Sequence, residues 1–261
     1  MTSPDQKSPF SLANMMSFSR IVLTPFFVVP FLWGDHLGYL IALSVLAFIE
    51  ASDILDGHVA RTFGQGSRLG QLLDPMADTI TRFSIFLCFL KAELIPFWMI
   101  FIFFVRDMSV AYFRAFAATE GLVIGARYSG KIKAVVQGFA VGIACMMLVW
   151  TRQDVEGLYG AQEALTRSLW VQGISTAAIV ALFIVLRVRG LPLFMGFFPL
   201  TLMNLCLVAP FFFEDLARFQ PALLVSVLLY LAAAVTLYSF VDYSLAFLKA
   251  MGAQLRGEQQ H

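Results

Sequence analysis

The sequence predicts an all-α integral membrane protein, a polytopic bundle of about eight transmembrane helices with both termini in the cytoplasm. Of the 261 residues, 59% are apolar and only 13% are charged, whereas soluble domains are about 25% charged. Apolar runs of about 20 residues, the length that crosses a bilayer as a helix, recur along the chain. These runs do not alternate apolar and polar residues as the strands of a membrane barrel do.

Eight apolar runs are long enough to be spans. They cover roughly residues 17–34, 37–60, 73–91, 94–116, 132–151, 168–186, 191–213 and 220–246, with boundaries uncertain by a few residues. With an even number of spans both termini share one side of the membrane, so the connecting segments can be compared for basic residues.

Twelve basic residues fall on the side of the termini and four on the opposite side. The twelve are Lys7, Arg20, Arg61, Arg68, Arg114, Arg127, Lys131, Lys133, Arg187, Arg189, Lys249 and Arg256; the four are Lys91, Arg152, Arg167 and Arg218. Because cytoplasmic loops are enriched in Lys and Arg, this asymmetry predicts cytoplasmic termini.

The predicted organisation is one transmembrane domain at 17–246, between a juxtamembrane segment at 1–16 and a cytoplasmic tail at 247–261. The net charge of +1 excludes a strongly basic nucleic-acid binder. The three cysteines all lie inside apolar runs, which favours packing roles over a disulfide framework or a metal cluster. The first apolar run lacks a cleavage site and is predicted to be a retained anchor.

Four aspartates lie where the second and third predicted helices meet. Asp53 and Asp56 are three residues apart, and Asp74 and Asp78 are four apart, so each pair shares a helix face. A short connection allows the pairs to converge, and four adjacent carboxylates would repel one another. Mg²⁺ or Mn²⁺ removes this conflict, because these hard cations prefer carboxylate oxygen. Two such metals about 4 Å apart commonly support phosphoryl transfer.

Small and basic residues accompany these aspartates. Gly57 and Ala60 lie on the same predicted helix, and Gly70 is predicted in the connecting loop. Missing side chains at these positions let a bulky ligand approach the backbone. Arg61 offers a bidentate fork that suits phosphate.

The pattern Asp53-x2-Asp56-Gly57-x2-Ala60-Arg61-x8-Gly70-x3-Asp74-x3-Asp78 resembles the signature of the CDP-alcohol phosphotransferase family. The resemblance implies a membrane enzyme that displaces CMP from a CDP-linked lipid or alcohol, with 17–246 as its catalytic domain. It implies that two divalent cations are held by Asp53, Asp56, Asp74 and Asp78. It also implies that Asp78 is the base acting on the acceptor hydroxyl, and that the CDP moiety lies against Asp53, Gly57, Ala60, Arg61 and Gly70.

Further stretches resemble bacterial phosphatidylglycerophosphate synthases. They are NMMSFSRIVLTPFF, with Asn14, Ser17 and Arg20 in the pattern Asn-x2-Ser/Thr-x2-Arg, then LLDPMAD, RDMSVAYFR, GKIKAVVQ and TLYSFVDYSLAF. This resemblance implies CDP-diacylglycerol and sn-glycerol 3-phosphate as substrates, a homodimer, and a bacterial inner-membrane enzyme whose active site faces the cytoplasm. The alternative is the same chemistry with inositol phosphate, serine or choline. That branch usually has six spans, so an extra hairpin is predicted near 168–213.

Basic residues beyond the signature suggest that the acceptor carries its own phosphate. Arg106 lies inside the fourth predicted span, where a lone guanidinium is costly unless it faces a polar cavity. Arg106 and Arg114 are two turns apart on one face, and Lys131 and Lys133 begin the fifth span. Together these four are predicted to form a phosphate cradle. Two other interpretations stay open: the lysines follow the positive-inside bias, and Arg106 is a structural partner of Asp107.

Two other kinds of function fit the sequence less well. A transport site formed by the aspartates would be expected near the midplane on broken helices, often in repeated halves, whereas these acids lie near one membrane face. A catalytically inactive scaffold would be expected to lack an aspartate of the signature, and none is missing. Arg82, one turn after Asp78, is predicted to orient that carboxylate or touch the pyrophosphate, or else to form a simple intrahelical ion pair.

Overall fold

The structure is a computed structural model that describes residues 12–62, 68–120, 122, 125, 127–153, 221–255 and parts of 170–185. These residues contain helices and no strands, as the sequence predicts. The long helices are α1 (Leu12–Trp33), α2 (His36–Thr62), α3 (Arg68–Lys91), α4 (Phe97–Thr119), α5 (Tyr128–Gln153) and α6 (Pro221–Leu255).

Six of the predicted spans coincide with these helices to within four residues at each end, apart from the starts of α1 and α3 and the end of α6. α3 begins at Arg68, five residues before the predicted span, so Gly70 lies in a helix and not in the predicted loop. α6 continues to Leu255, into the segment predicted as a tail. The predicted span 168–186 is described in part, and the predicted span 191–213 lies outside the described residues.

Three helices of the described chain are long and apolar enough to cross a membrane, with candidate spans at His36–Asp53, Tyr128–Val149 and Val225–Gly252. A shorter apolar stretch covers Ser17–Trp33 in α1. α3 and α4 have the length of a span. Both carry charged side chains along that length, so their apolar runs are interrupted.

The described chain divides into two compact units, residues 1–88 with 142–221 and residues 89–141 with 222–261. The first unit contains a tight hairpin of α1 and α2. Gly34 ends α1 with φ of +75°, a conformation that glycine adopts without steric cost. Asp35 caps α2 by accepting a hydrogen bond of 2.8 Å from the backbone N–H of Gly38. A Cβ at Gly38 would lie 2.3 Å from the Pro30 carbonyl oxygen, so the helices approach closely there.

Aromatic and polar contacts hold the first unit together. Phe31 stacks on Phe27 at 5.5 Å between ring centroids and meets the edge of Tyr39 at 5.0 Å. The hydroxyls of Thr24 and Thr81 lie 2.9 Å apart and join α1 to α3. Because a threonine hydroxyl in a helix also bonds to the preceding turn, as Thr24 does to the Arg20 carbonyl, its polar group is satisfied in apolar surroundings.

The second unit comprises α4, the first half of α5 and α6. Phe113 stacks on Phe247 with centroids 4.5 Å apart, which joins α4 to α6. The buried residues of this unit include Met99, Phe103 and Leu229. α6 has 35 residues and therefore rises about 52 Å, more than the hydrocarbon thickness of about 30 Å.

Candidate active site

Three of the predicted aspartates meet at one arginine in the first unit. Arg20 Nη1 donates to Asp53 Oδ1 at 2.5 Å and also to Asp78 Oδ1. Arg20 Nη2 lies 3.5 Å from Asp74 Oδ1, and the Ser17 hydroxyl donates to that same oxygen. We call Asp53, Asp74 and Asp78 the acidic cluster.

Helical periodicity on three helices assembles the acidic cluster. Ser17 and Arg20 are three residues apart on α1, and Asp74 and Asp78 are four apart on α3, so each pair projects from one face. Asp53 comes from α2, which the tight hairpin holds against α1. One turn beyond Arg20, the bond between Thr24 and Thr81 fixes α1 on α3.

The acidic cluster is open on one side and backed by the guanidinium. The Arg20 side chain is 2% exposed, whereas the three carboxylate side chains are 39 to 53% exposed. The cleft in front of Arg20 is lined by Ile49, Glu50, Asp53, Asp78, Thr81, Arg82 and Ile85. A polar ligand or a cation can therefore reach the carboxylates, while Arg20 compensates their charge from behind.

The donor chemistry of the acidic cluster fits a divalent cation. Asp53 Oδ1 on α2 and Asp78 Oδ1 on α3 both contact the same nitrogen of Arg20, so one positive charge can bridge the two helices. These hard oxygen donors suit Mg²⁺ or Mn²⁺. Within the described residues, no group of three His, Cys, Asp or Glu side chains is arranged to hold a metal ion. The Asp56 side chain, which the prediction includes, lies outside them.

Apart from Asp53, the residues predicted to hold CDP are described in their backbone alone. Gly57, Ala60 and Arg61 lie in the last part of α2, and Gly70 lies in the first turn of α3. The side chains of Ala60 and Arg61 lie outside the described residues, so their contact with CDP stays a prediction.

Arg82 forms the expected contact with Asp78 one turn away. The distance between Arg82 Nη2 and Asp78 Oδ2 is 4.0 Å, the outer limit of an ion pair, and such helical pairs contribute about 0.3–0.5 kcal/mol. Arg82 also lines the cleft in front of Arg20, so it lies where a ligand can approach, and both predicted roles stay open.

A second charged group lies in the second unit, and it contains three of the four residues predicted as a phosphate cradle. Asp107 accepts from Arg106 Nη1 at 2.8 Å, and from Lys133 Nζ at 2.8 Å on one oxygen and 3.0 Å on the other. Arg114 Nη2 donates to the Tyr243 hydroxyl at 2.7 Å. We call Arg106, Asp107, Arg114 and Lys133 the basic cluster.

Burial separates the two lysines of the predicted cradle. Lys133 is buried and paired with Asp107. The positive-inside bias alone predicts a lysine near the membrane surface and does not explain this burial. Lys131, two residues earlier, is exposed, so the positive-inside interpretation stays open for it. The pairing of Arg106 with Asp107 is confirmed, and the same carboxylate also contacts Lys133.

Arg20 is the main site residue whose role the sequence reasoning missed. The sequence places it among the basic residues on the side of the termini, and the structure shows in addition that it lies inside α1 with its side chain buried. The signal was its position in an apolar run, where a guanidinium requires a partner. Tyr243, Ser239 and Asp242 on α6 were missed as well, since nothing in their local sequence identifies their partners.

The sequence model of the family described as CDP-alcohol phosphatidyltransferase matches residues 10–185. That segment contains the acidic cluster and the basic cluster, whereas α6 lies beyond it.

The names of curated relatives refer to two different activities. The chain is 27% identical over 202 residues to a "Probable cardiolipin synthase (CMP-forming)" of Drosophila melanogaster, covering 70% of this chain and 59% of that protein. It is 31% identical over 144 residues to the "CDP-diacylglycerol--glycerol-3-phosphate 3-phosphatidyltransferase" of Bacillus subtilis (strain 168), covering 51% and 75%. It is 33% identical over 144 residues to a "Putative cardiolipin synthase" of Mycobacterium bovis, covering 55% and 67%.

The substitution Arg20→Met should destabilise the protein, because it leaves three neighbouring carboxylates without their shared cation. Breaking a buried pair costs about 3–5 kcal/mol, and we expect about 3 kcal/mol, since the carboxylates are partly solvated. The thermal unfolding midpoint in detergent should fall. Added Mn²⁺ should raise that midpoint more in Arg20→Met than in the wild type, because it relieves the same repulsion.

The matched control is Lys91→Met, which removes an exposed cation at the end of α3 and should change stability by no more than about 0.5 kcal/mol. An unchanged unfolding midpoint in Arg20→Met would show that the guanidinium does not balance the acidic cluster.

Proposed function

Because the chain belongs to the CDP-alcohol phosphatidyltransferase family, we propose that it transfers the phosphatidyl group of CDP-diacylglycerol to sn-glycerol 3-phosphate. The products are phosphatidylglycerophosphate and CMP. The observation that carries the reaction type is the convergence of Asp53, Asp74 and Asp78 from two helices on a single cation. The relative from Bacillus subtilis, whose name specifies this reaction, supports the choice of substrates.

The proposed chemistry begins at Asp78. Its carboxylate accepts the proton of the acceptor hydroxyl as a general base. The acceptor oxygen bonds to the β-phosphorus of CDP-diacylglycerol, and the bond from that phosphorus to the bridging oxygen breaks. CMP leaves with the electron pair of that bond. The contacts of Asp78 with Arg20 and Arg82 hold its carboxylate in one orientation.

We assign the cation and nucleotide positions within the same region. Two divalent cations, Mg²⁺ or Mn²⁺, are held by Asp53, Asp56, Asp74 and Asp78, and when bound they neutralise charge on the pyrophosphate. The CDP moiety lies against Asp53, Gly57, Ala60, Arg61 and Gly70. The open face of the acidic cluster supports both assignments, since it leaves the carboxylates accessible.

The basic cluster supports an acceptor that carries a phosphate monoester. Asp107 contacts both Arg106 and Lys133, so at these contacts two cations face one carboxylate. Arg114 adds a third positive charge and is partly exposed. A phosphate monoester is close to a dianion near neutral pH, and guanidinium groups bind it with several charge-assisted hydrogen bonds. We assign Arg106, Arg114, Lys131 and Lys133 to the phosphate of glycerol 3-phosphate.

A second candidate function is the formation of cardiolipin. The relatives from Drosophila melanogaster and Mycobacterium bovis are named cardiolipin synthases. In that reaction the attacking hydroxyl belongs to phosphatidylglycerol, and CMP leaves in the same way. Phosphatidylglycerol is a phosphodiester with one negative charge, so it uses fewer of the positive charges in the basic cluster. This difference favours glycerol 3-phosphate.

We propose a bacterial inner-membrane enzyme with eight spans, both termini in the cytoplasm and the active site facing the cytoplasm. The catalytic domain is 17–246, with an extra hairpin near 168–213, and the enzyme is a homodimer. The asymmetry of Lys and Arg between the two sides supports the orientation. A cytoplasmic site also lets a water-soluble acceptor and a membrane-bound CDP-lipid reach the same aspartates.

The topology can be tested by labelling single cysteines in intact cells with a membrane-impermeant maleimide. Gln260→Cys and Thr2→Cys should be protected until the cells are permeabilised, because both termini are cytoplasmic. Gly160→Cys lies between the predicted spans 132–151 and 168–186, on the side opposite the termini, and should be labelled at once. Labelling of only one terminus would require an odd number of spans and overturn the eight-span arrangement.

The acceptor can be identified with the purified protein, CDP-diacylglycerol, Mg²⁺ or Mn²⁺ and a panel of labelled alcohols. The panel contains glycerol 3-phosphate, phosphatidylglycerol, inositol phosphate, serine and choline. We expect CMP release that depends on glycerol 3-phosphate and on the metal. Turnover of phosphatidylglycerol in its place would establish the second candidate, and turnover of serine alone would refute the role given to the basic cluster.

The substitution Asp78→Asn should lower kcat by at least about 100-fold, the usual contribution of a general base, while CDP-diacylglycerol binding is largely retained. The amide keeps the shape of the carboxylate but cannot accept the proton. The control is Glu93→Gln, which also replaces a carboxylate by its amide, at an exposed position between α3 and α4. It should retain activity. Near-normal turnover in Asp78→Asn would assign the base elsewhere.

A further inference from the structure

Tyr243 on α6 lies at the centre of the basic residues of the second unit. It is 1% exposed, and its hydroxyl accepts from Arg114 Nη2 at 2.7 Å and from the backbone N–H of Arg127 at 2.9 Å. Its ring faces two guanidinium groups, with the carbon of Arg106 at 5.4 Å and that of Arg114 at 5.2 Å from the ring centroid. Both arginines of α4 therefore contact one side chain of α6.

Neighbouring side chains of α6 reinforce this arrangement. Ser239, one turn before Tyr243, accepts from Arg106 Nη2 at 2.9 Å. Asp242 accepts from Arg127 Nε at 2.7 Å and from the Ser129 hydroxyl at 2.5 Å. The middle of α6 thus contacts the arginines of α4 and the segment that leads into α5.

The absence of a side chain at Gly130 makes the position of Tyr243 possible. A Cβ at Gly130 would lie 2.9 Å from the Tyr243 hydroxyl oxygen, 3.1 Å from its Cε2 and 3.3 Å from Arg106 Nη2. Any larger residue would displace Tyr243 or Arg106, because a Cβ does not tolerate such contacts. Gly130, in the first turn of α5, therefore provides the space in which the phenol and the guanidinium meet.

A phenol orients two cations without neutralising them. A carboxylate at position 243 would bind both guanidinium groups but cancel part of their charge, as Asp107 does for Arg106 and Lys133. The Tyr243 hydroxyl accepts a hydrogen bond, and its ring attracts cations through its quadrupole. Tyr243 therefore cancels none of the positive charge of Arg114, and it leaves for an anion whatever charge of Arg106 Asp107 does not balance.

We propose that Tyr243 is a positioning residue that sets the spacing and orientation of Arg106 and Arg114 for the phosphate of the acceptor. This inference rests on the proposed function. Tyr243 lies in the stretch TLYSFVDYSLAF, beyond the segment 10–185 that the family model matches, and under this proposal the last helix contributes to acceptor binding.

The test is Tyr243→Phe, which keeps the ring and removes the hydroxyl. Arg114 then loses its hydrogen bond, and we expect the KM for glycerol 3-phosphate to rise about tenfold, the usual effect of losing one hydrogen bond to a charged group. The KM for CDP-diacylglycerol should change less than about twofold, whereas a general loss of packing would alter both constants. Tyr238→Phe, at a 64% exposed position of the same helix, is the control and should match the wild type.

A second variant keeps the test decisive if Tyr243→Phe folds poorly. Gly130→Ala should displace the Tyr243 hydroxyl and raise the KM for glycerol 3-phosphate in the same selective way. Gly138→Ala, on the same helix with open space around its Cβ, should have no such effect. Protection of the purified protein against thermal unfolding by glycerol 3-phosphate gives a reading that does not depend on turnover, and it should weaken in both Tyr243→Phe and Gly130→Ala.

The failures of the two proposals are distinguishable. Turnover of glycerol 3-phosphate by the wild type, with an unchanged KM and unchanged thermal protection in Tyr243→Phe and Gly130→Ala, would overturn the role of Tyr243 alone. Absence of both turnover and protection in the wild type would overturn the proposed acceptor and this inference with it.

Discussion

The charge of Arg20 is buried in an apolar helix and can be stabilised only by other groups of the protein. A guanidinium in hydrocarbon is costly, and three adjacent carboxylates without a cation would repel one another. Three aspartates from two other helices meet this requirement together. Their convergence arranges α1, α2 and α3 around one point, and it leaves the outer sides of the carboxylates open. The same interaction therefore stabilises the helices and prepares a binding surface.

The second unit meets a similar requirement with different chemistry. Its cations Arg106, Arg114 and Lys133 donate to a carboxylate, Asp107, and to neutral oxygen acceptors, Ser239 and Tyr243. A carboxylate neutralises the cation that it contacts, so little positive potential remains there. A hydroxyl accepts a hydrogen bond without neutralising the cation, so the positive potential persists. The first unit thus presents negative groups that suit metal ions, and the second retains positive charge that suits a phosphate.

Spacing along the chain was sufficient to predict six helices of the described residues and the shared face of Asp74 and Asp78, and it offered the pairing of Arg106 with its neighbour Asp107 as one open alternative. These features depend on helical periodicity, which is local. The partners of Arg20 lie 33 to 58 residues away along the chain, and Tyr243 lies 129 residues from Arg114. Such pairs depend on how helices pack, which periodicity does not specify. The start of α3 was also misplaced, because polar residues around Gly70 resemble a loop.

The hairpin between α1 and α2 also limits how the length of the chain can change. Measured from Gly34, Arg20 lies fourteen residues back and Asp53 nineteen residues forward. Inserting or deleting one residue within either stretch would rotate everything beyond it by about 100° and shift it by about 1.5 Å. The contact between Arg20 and Asp53 would then be lost, although every residue type was kept. Homologous chains should therefore vary in length outside this interval and keep a constant residue count within it.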